Sequence, residues 1–302
     1  MRILLEFLGI MKSFALFEIK GLLAAYGGRI EKVDEHYAII RTDSVQDIAR
    51  RITLSRRLGR IVEEDEIDIG KRTFAVRPAK HCGSQINLRD IARRINGRVD
   101  LDHPDIIFYA YDEGKIITEN IFERRESSIL DYRFKNRPFN HPSSISPMIA
   151  RAMINVGSLK EGDLFVDPFV GTGTFLTEGY RMGIRGIGID RDRKMVEGCR
   201  KNLIFFGFPD TVILGDFSLI KDFGDISAIV TDPPYGRGAR VFSDSRESLY
   251  SRMFSIFSEI RVPKVFVLPS VELLNMAKQF MELEIVETVR VHSSLTRIIV
   301  KA

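Results

Sequence analysis

From about residue 130 onward, short apolar runs alternate with longer stretches of helical period, and most of the runs end on an acid. Leu164-Phe165-Val166-Asp167, Gly186-Ile187-Gly188-Ile189-Asp190, Val212-Ile213-Leu214-Gly215-Asp216 and Ile226 to Thr231 read as strands buried on both faces. Helices are predicted between and after them, over Thr174–Met182, Arg193–Phe206 and Ser248–Ile260, the last preceding a strand at Lys264–Leu268. Two final runs, Glu284–His292 and Thr296–Lys301, are close enough to pair as an antiparallel hairpin. This is the pattern of an α/β, Rossmann-like domain: a mostly parallel sheet, covered on both sides, with a terminal antiparallel hairpin.

The first 120 residues are patterned differently. Residues 2–8 read as a strand. A helix follows with Ser13 as N-cap, the apolar stripe Phe14, Phe17, Leu22 and Ala25, and Gly27-Gly28 as its stop. Tyr37–Ile40 is a second strand, and Asp43 or Ser44 caps a helix running to about Arg60. Strand and helix in this succession suggest a small α+β, ferredoxin-like module over 1–70. A second small module over 71–122 starts at Thr73–Arg77, contains a helix from Asn87 to Asn96, and ends in strands Asp105–Tyr111 and Lys115–Asn120. The charged stretch 123–136 reads as a linker, and 137–302 as the α/β domain.

Composition narrows the setting. No apolar run approaches the ~18 residues that span a bilayer, and the start of the chain, with Glu6 and Lys12, reads as a strand and not as a signal peptide. Cys82 and Cys199 are far apart, so neither a disulfide framework nor a metal site is expected, and the expected compartment is the cytoplasm. A net charge of +4 says little about nucleic acid by itself. The clustering of basic residues in the first half says more. Arg77 and Lys80 in one group, and Arg93 and Arg94 in another, are compatible with a phosphate-contacting surface as well as with solvated helix faces.

Candidate chemistry gathers at the strand ends, where open parallel sheets bind ligands. Asp232-Pro233-Pro234-Tyr235 follows the strand that ends at Thr231. Two prolines stop a strand and stiffen the loop. Beyond a plain proline turn, such a loop suits gripping a planar base that bears an exocyclic amine. Asp232 and a Pro233 carbonyl would accept the N–H hydrogens, and Tyr235 would stack on the ring. Asp167-Pro168-Phe169-Val170-Gly171-Thr172-Gly173-Thr174 is a glycine turn into a helix, with Gly171 and Gly173 allowing close backbone approach. A nicotinamide dinucleotide is disfavoured, because Leu176 stands where the third glycine of that motif belongs and an acid precedes the glycines. Asp190, with Arg191 beside it, would bridge a ribose diol, while Asp216 would bond an adenine amine and Phe217 pack on its ring. A nucleoside bearing an aminoacyl cation fits these groups: S-adenosylmethionine.

Asp167-Pro168-Phe169-x-Gly171-x-Gly173 with Asp232-Pro233-Pro234-Tyr235 resembles the class I S-adenosylmethionine-dependent amino-methyltransferases. Arg137-Pro138-Phe139-Asn140-His141-Pro142-Ser143-Ser144-Ile145-Ser146-Pro147, Ala150–Asn155 and Ser293-Ser294-Leu295-Thr296-Arg297 are similar to segments of the archaeal tRNA guanosine-10 N2-methyltransferases. Phe74–Arg77 and Val99–Asp105 look like pieces of a THUMP domain, the RNA-binding module of that family. Val170 stands where that family usually has a cysteine. The resemblance implies methyl transfer to the exocyclic N2 of a tRNA guanosine, with mono- or dimethylation left open. It places His141 and Pro142 beside the cofactor, against the alternative of a packed loop. It divides Arg297 between a hairpin salt bridge and contact with substrate phosphate. Ribosomal RNA guanine-N2 methylation, DNA adenine-N6 methylation and a non-catalytic RNA-binding role are the competing readings.

Overall fold

The computed structural model describes residues 1–9, 11–63, 66–80, 86–124, 137–235, 245–292 and 295–302, and of residues 291, 292 and 295 the backbone alone. Cys82, Glu64, Asp65, the linker from 125 to 136, and Ser293 with Ser294 lie outside the described residues. Contacts divide the chain into two units, each assembled from separate stretches. One comprises Met1–Lys12, Gly27–Arg50 and the described residues from Ser55 to Arg124. The other comprises Ser13–Tyr26, Arg51–Leu54 and Arg137 onward.

The first unit is built on a sheet of β1 (Arg2–Phe7), β2 (Arg29–Val33), β3 (Tyr37–Arg41), β4 (Ser55–Ile61), β5 (Ile67–Pro78), β6 (Ile95–Val99), β7 (Ile106–Tyr111) and β8 (Ile116–Glu123), in the order β2-β3-β1-β4-β8-β7-β5-β6. The β2-β3-β1-β4 half has the antiparallel pairing of a split βαβ arrangement. The strands do not divide at residue 70. β5 runs through that position, and β4 pairs antiparallel with β8, so the expected modules 1–70 and 71–122 share one sheet. Phe74, Ile95, Ile106 and Phe108 form one apolar cluster, and Leu4, Tyr37, Tyr109 and Tyr111 another.

Two expected helices are shorter than the pattern suggested. The helix from Asp43 or Ser44 ends as α2 (Val45–Arg51), and its continuation to Arg60 is β4 instead. The amides of Thr53 and Leu54 donate to the carboxylate of Glu18 at 2.9 and 2.7 Å, which removes them from any helical ladder. The helix expected over 87–96 ends as α3 (Leu88–Arg93). The Arg94 carbonyl accepts the Ile67 amide at 2.8 Å, and Ile95–Val99 then pairs parallel with β5.

In the second unit, α1 (Lys12–Tyr26) stands with the C-terminal domain. Ser13 lies inside this helix. Its buried face is Phe14, Ala15, Glu18, Ile19, Leu22 and Leu23, so the expected stripe members Phe17 and Ala25 fall off it. Gly21 is where α1 passes α4 (Pro147–Val156): a Cβ there would lie 2.0 Å from the Asn155 carbonyl oxygen. Around this crossing is a buried polar network. Asn155 donates Nδ2 to Glu18 and to the Arg51 carbonyl, while its Oδ1 accepts from the Arg51 guanidinium at 2.8 Å. Arg51, 2% exposed, also donates to the Leu159 carbonyl and the Tyr26 hydroxyl. Burial raises the Glu18 carboxyl above its usual range against the pull of these donors.

The second sheet contains β9 (Leu164–Asp167), β10 (Arg185–Asp190), β11 (Val212–Leu214), β12 (Ala228–Thr231), β13 (Lys264–Leu268), β14 (Glu284–His292) and β15 (Leu295–Lys301). Their order is β11-β10-β9-β12-β13-β15-β14, parallel except for the two ladders made by β15. The chain moves outward from β9 to β11, then returns to β12 on the other side of β9. The β9/β12 boundary is therefore the switch point. Val166, Ile189, Ile229, Phe254, Phe257 and Phe266 fill the core below it. Helices α5 (Thr174–Arg181), α6 (Arg193–Phe205), α7 (Arg246–Glu259) and the unanticipated α8 (Val271–Ala277) complete the unit. Asp192, Ser245 and Ser270 cap α6, α7 and α8. Among the described residues, no helix is long and apolar enough to cross a membrane.

Candidate active site

At the switch point, Asp167 and Asp232 stand at the ends of neighbouring strands and line one cleft, together with His141, Phe169, Gly171 and Thr172. Asp167 is 1% exposed. Its Oδ1 accepts the Thr231 hydroxyl at 2.6 Å and the Phe169 amide at 3.2 Å, tying the two strand ends together. Its Oδ2, also buried, accepts no hydrogen bond from a described residue. Burial pushes this carboxyl up to about 7, against the Thr231 and Phe169 donors.

The turn after β9 depends on backbone that only glycine adopts readily. Gly171 and Gly173 have φ of +49° and +79°, and a Cβ on Gly173 would meet the Cys199 sulfur at 2.4 Å. The Gly171 amide donates to Asp190 Oδ2 at 2.9 Å, and the Asp192 amide to Asp190 Oδ1 at 2.9 Å. Asp190 is thereby oriented at the end of its strand. Val170 is buried and fills the space over Gly188, so the position expected to carry cysteine serves packing.

Asp216 and Phe217 are placed differently from the expectation. Asp216 caps the 3-10 turn Phe217–Asp222 through the Ser218 amide, and its Oδ2 accepts Arg252 at 2.6 Å. Arg191 lies 4.0 Å from the same carboxylate. Phe217 is 2% exposed, packed 5.1 Å from Phe169 with the Arg252 guanidinium over its ring. It supports Phe169 from below and offers no free face to an adenine.

The tetrapeptide is held from three sides. The Tyr235 hydroxyl donates to Asp232 Oδ1, and Arg297 Nε donates to that hydroxyl at 2.7 Å. Arg297 Nη2 lies 3.3 Å from Asp232 Oδ2 and donates to the Ser143 carbonyl at 3.0 Å. The Tyr250 hydroxyl donates to the Pro234 carbonyl at 3.2 Å. Burial raises Asp232 to about 6, while Arg297 and the Tyr235 hydroxyl pull it down. Arg297 is only 6% exposed, so it is not a surface phosphate contact, and β15 delivers it to the site as an ion-pair partner of Asp232.

The segment 137–144 is fastened by residues that motif reading passed over. Asn202 on α6, fully buried, accepts the Phe139 amide at 2.9 Å and donates to the carbonyls of Phe139 and Thr172, both at 2.9 Å. Phe139 lies against Gly198, where a Cβ would come within 2.1 Å of its ring. The Ser144 hydroxyl meets that of Thr172 at 2.9 Å, and Arg137 donates to the Thr174 hydroxyl at 3.1 Å. His141 and Pro142 are exposed, with His141 Nδ1 2.7 Å from the Ser143 hydroxyl. Of the expected cofactor residues, His141, Asp167, Phe169, Gly171, Thr172, Thr174 and Asp232 line the cleft. Pro168, Asp190 and Arg191 belong to the surrounding frame. Arg77, Lys80, Arg93 and Arg94 lie in the first unit. Lys80 and Arg93 are exposed, with Arg93 paired to Asp90, and Arg77 and Arg94 are half-buried.

A parallel sheet with its terminal strand inserted antiparallel, an acid–glycine turn after its first strand and an Asp-Pro-Pro-Tyr loop after its fourth define a class I S-adenosylmethionine-dependent methyltransferase. The RMKL-like methyltransferase domain model matches residues 135–299, and the chain belongs to that family. It is 31% identical over 329 aligned positions to the tRNA (guanine(10)-N2)-dimethyltransferase of Pyrococcus abyssi, covering 97% of this chain and 96% of that one. With the enzyme of the same name from Methanothermobacter thermautotrophicus it shares 34% over 253, covering 78% and 75%. The tRNA (guanine(10)-N(2))-methyltransferase of Saccharomyces cerevisiae is 30% identical over 166, covering 46% and 38%.

Proposed function

We propose that the protein methylates the exocyclic N2 of a guanosine, the one at position 10, in tRNA, giving N2-methylguanosine and N2-dimethylguanosine. The observation that carries this reading is Asp232, a buried carboxylate at a strand end, in the same cleft as Asp167. The names of the relatives support the choice of tRNA and of guanosine.

The unmatched Asp167 Oδ2 fits S-adenosylmethionine, since the ammonium of its aminoacyl arm is the kind of donor that oxygen lacks. Asp190 would hold the ribose diol, and the turn at Gly171 and Gly173 would let the backbone approach. When bound, S-adenosylmethionine supplies an electrophilic methyl group. The remaining work falls to the chain. A guanine N2 is a weak nucleophile, because its lone pair is delocalised into the ring. Asp232 and the Pro233 carbonyl accept its N–H hydrogens, which localises the lone pair and aims it. Asp232 is also placed to accept the proton that must leave. Tyr235 stacks on the base, which requires its hydroxyl to swing away from Asp232. A paired guanosine has to be flipped out to reach this cleft.

The first unit is assigned to RNA binding as a shortened THUMP-like module, with Arg77, Lys80, Arg93 and Arg94 as phosphate contacts, and the cytoplasm is the compartment that tRNA implies. The test is incubation of unmodified tRNA with labelled S-adenosylmethionine, followed by nucleoside mass spectrometry. N2-methylated guanosine at position 10 is expected. N6-methyladenosine, methylation of ribosomal RNA alone, or no product would overturn the reading.

A further inference from the structure

We infer that Arg297 is a positioning residue for methyl transfer: it keeps Asp232 ionised and aligned, and it joins the base-gripping loop to the cofactor side of the cleft. This rests on the reading of Asp232 as the acceptor of the substrate amine. Motif reading divided Arg297 between a hairpin salt bridge and a substrate phosphate, and its geometry faces inward.

One guanidinium serves three partners on two parts of the site, the tetrapeptide loop and the 137–144 segment. Nη2 lies 3.3 Å from the Asp232 carboxylate, Nε donates to the Tyr235 hydroxyl at 2.7 Å, and Nη2 also donates to the Ser143 carbonyl at 3.0 Å. Asp232 is the group that takes the amine, Tyr235 the ring that holds the base, and Ser143 a wall of the cleft that Asp167 lines. The planar fork spans all three, which a lysine ammonium does not match. The Arg297 side chain is 7% exposed and that of Asp232 11%, so the pair interacts with little screening from water.

The electrostatic surroundings of Asp232 make this cation matter. From β9, Asp167 presents a second carboxyl. From the loop itself comes the Tyr235 hydroxyl, from α7 the Tyr250 hydroxyl through Pro234, and from the 137–144 segment His141 lines the same cleft. Burial favours a protonated Asp232, and Arg297 is the cation that, with the Tyr235 hydroxyl, opposes it. A protonated Asp232 has lost the charge that draws the amine hydrogens. When Tyr235 leaves to stack on a base, Asp232 exchanges that hydroxyl for the neutral donors of the amine, and Arg297 is the cation that stays beside it.

The pH profile of methyl transfer separates this role from a scaffold role. With S-adenosylmethionine saturating, so that its ammonium holds Asp167 ionised, the acid limb of kcat/KM for tRNA in the wild type should fall near pH 6, following Asp232. In Arg297→Gln the limb should move up by about two pH units, so that turnover falls about tenfold at pH 7 and recovers at pH 9. Arg297→Lys, which keeps the charge and loses the fork, should leave the limb near its wild-type position while lowering kcat. The dissociation constant of S-adenosylmethionine, by calorimetry, should stay within about threefold of wild type in the lysine variant. A limb that stays in place in Arg297→Gln while rates drop equally at every pH overturns the proposal. So does a loss confined to tRNA affinity and relieved at low salt, which would make Arg297 a phosphate contact. Carbon-13 NMR titration of the aspartate carboxyls gives a readout independent of turnover and of the identity of the nucleic acid. Asp232, assigned by its loss in Asp232→Asn, should titrate higher in Arg297→Gln than in the wild type, and an unchanged midpoint refutes the role. Were Arg297→Gln not to fold, the wild-type titration decides: an Asp232 midpoint unmoved by charge-screening salt and below 7 supports the pairing, and one above 7 refutes it.

Discussion

A carboxylate buried without enough donors costs stability whenever it is charged, and Asp167 is such a group. Its folded value of about 7 lies above the 3.8 of an unperturbed aspartate, so between those values the folded state binds the extra proton. Native stability from this group is therefore complete below about pH 4 and is lost as pH rises through 7, by up to about 4 kcal/mol. Asp167→Asn removes the titration. Without ligand, its Tm relative to wild type should improve by several degrees between pH 5 and pH 8. A Tm difference that does not change with pH would refute this account of Asp167. Its affinity for S-adenosylmethionine should fall by at least about tenfold in calorimetry, because the ammonium loses its counter-charge. Asp232 answers differently. Asp232→Asn should lower kcat by about a hundredfold or more in steady-state assays with tRNA, while S-adenosylmethionine still binds. Both acids were legible as strand-end residues in the sequence. The roles of the partners that tune them, Thr231 for Asp167 and Arg297 for Asp232, were not, because each arrives by folding from another element.

At the scale of elements, short apolar runs, most of them ending at an acid, marked the parallel strands of the second sheet to within a few residues. The misreadings lie where a distant group captured the backbone. Nothing local in Ile52-Thr53-Leu54 shows that Glu18, far back in the chain, will take two amides and end α2. Ile95–Val99 became a strand because β5 offered it an edge. The fastening of 137–144 to α6 did leave a trace. Val196, Cys199 and Leu203 mark the buried stripe of α6, and Asn202 interrupts it with an amide that must find partners. It satisfies the amide and carbonyl of Phe139 and the carbonyl of Thr172. Asn202→Ala would leave these buried groups unpaired, at a cost of about 2–4 kcal/mol read by denaturant unfolding. It should also weaken S-adenosylmethionine binding, because the Thr172 turn loses an anchor. Destabilisation below about 1 kcal/mol, with unchanged binding, would refute the anchoring role.

At the scale of the whole molecule, the sequence suggests a chain cut near residue 136, with everything catalytic after it. The folded unit is cut elsewhere, since α1 and Arg51–Leu54 belong to it. Expressed alone, residues 137–302 should be insoluble or lack a cooperative melting transition, because Asn155 loses Glu18 and Arg51 together. A fragment that melts cooperatively near the Tm of the full chain would refute this. The same arrangement sets a clock during synthesis. Glu18 leaves the ribosome 137 residues ahead of Asn155. At about 5–20 residues per second that is a wait of about 7 to 27 seconds. Over most of that interval Glu18 has the amides of Thr53 and Leu54 within the chain, but α1 still lacks Asn155 and the α4 backbone it packs on at Gly21. The nascent N-terminal half is thus the stage at which chaperones have the most to protect, and slowing elongation before residue 155 should cost yield more than slowing it afterwards.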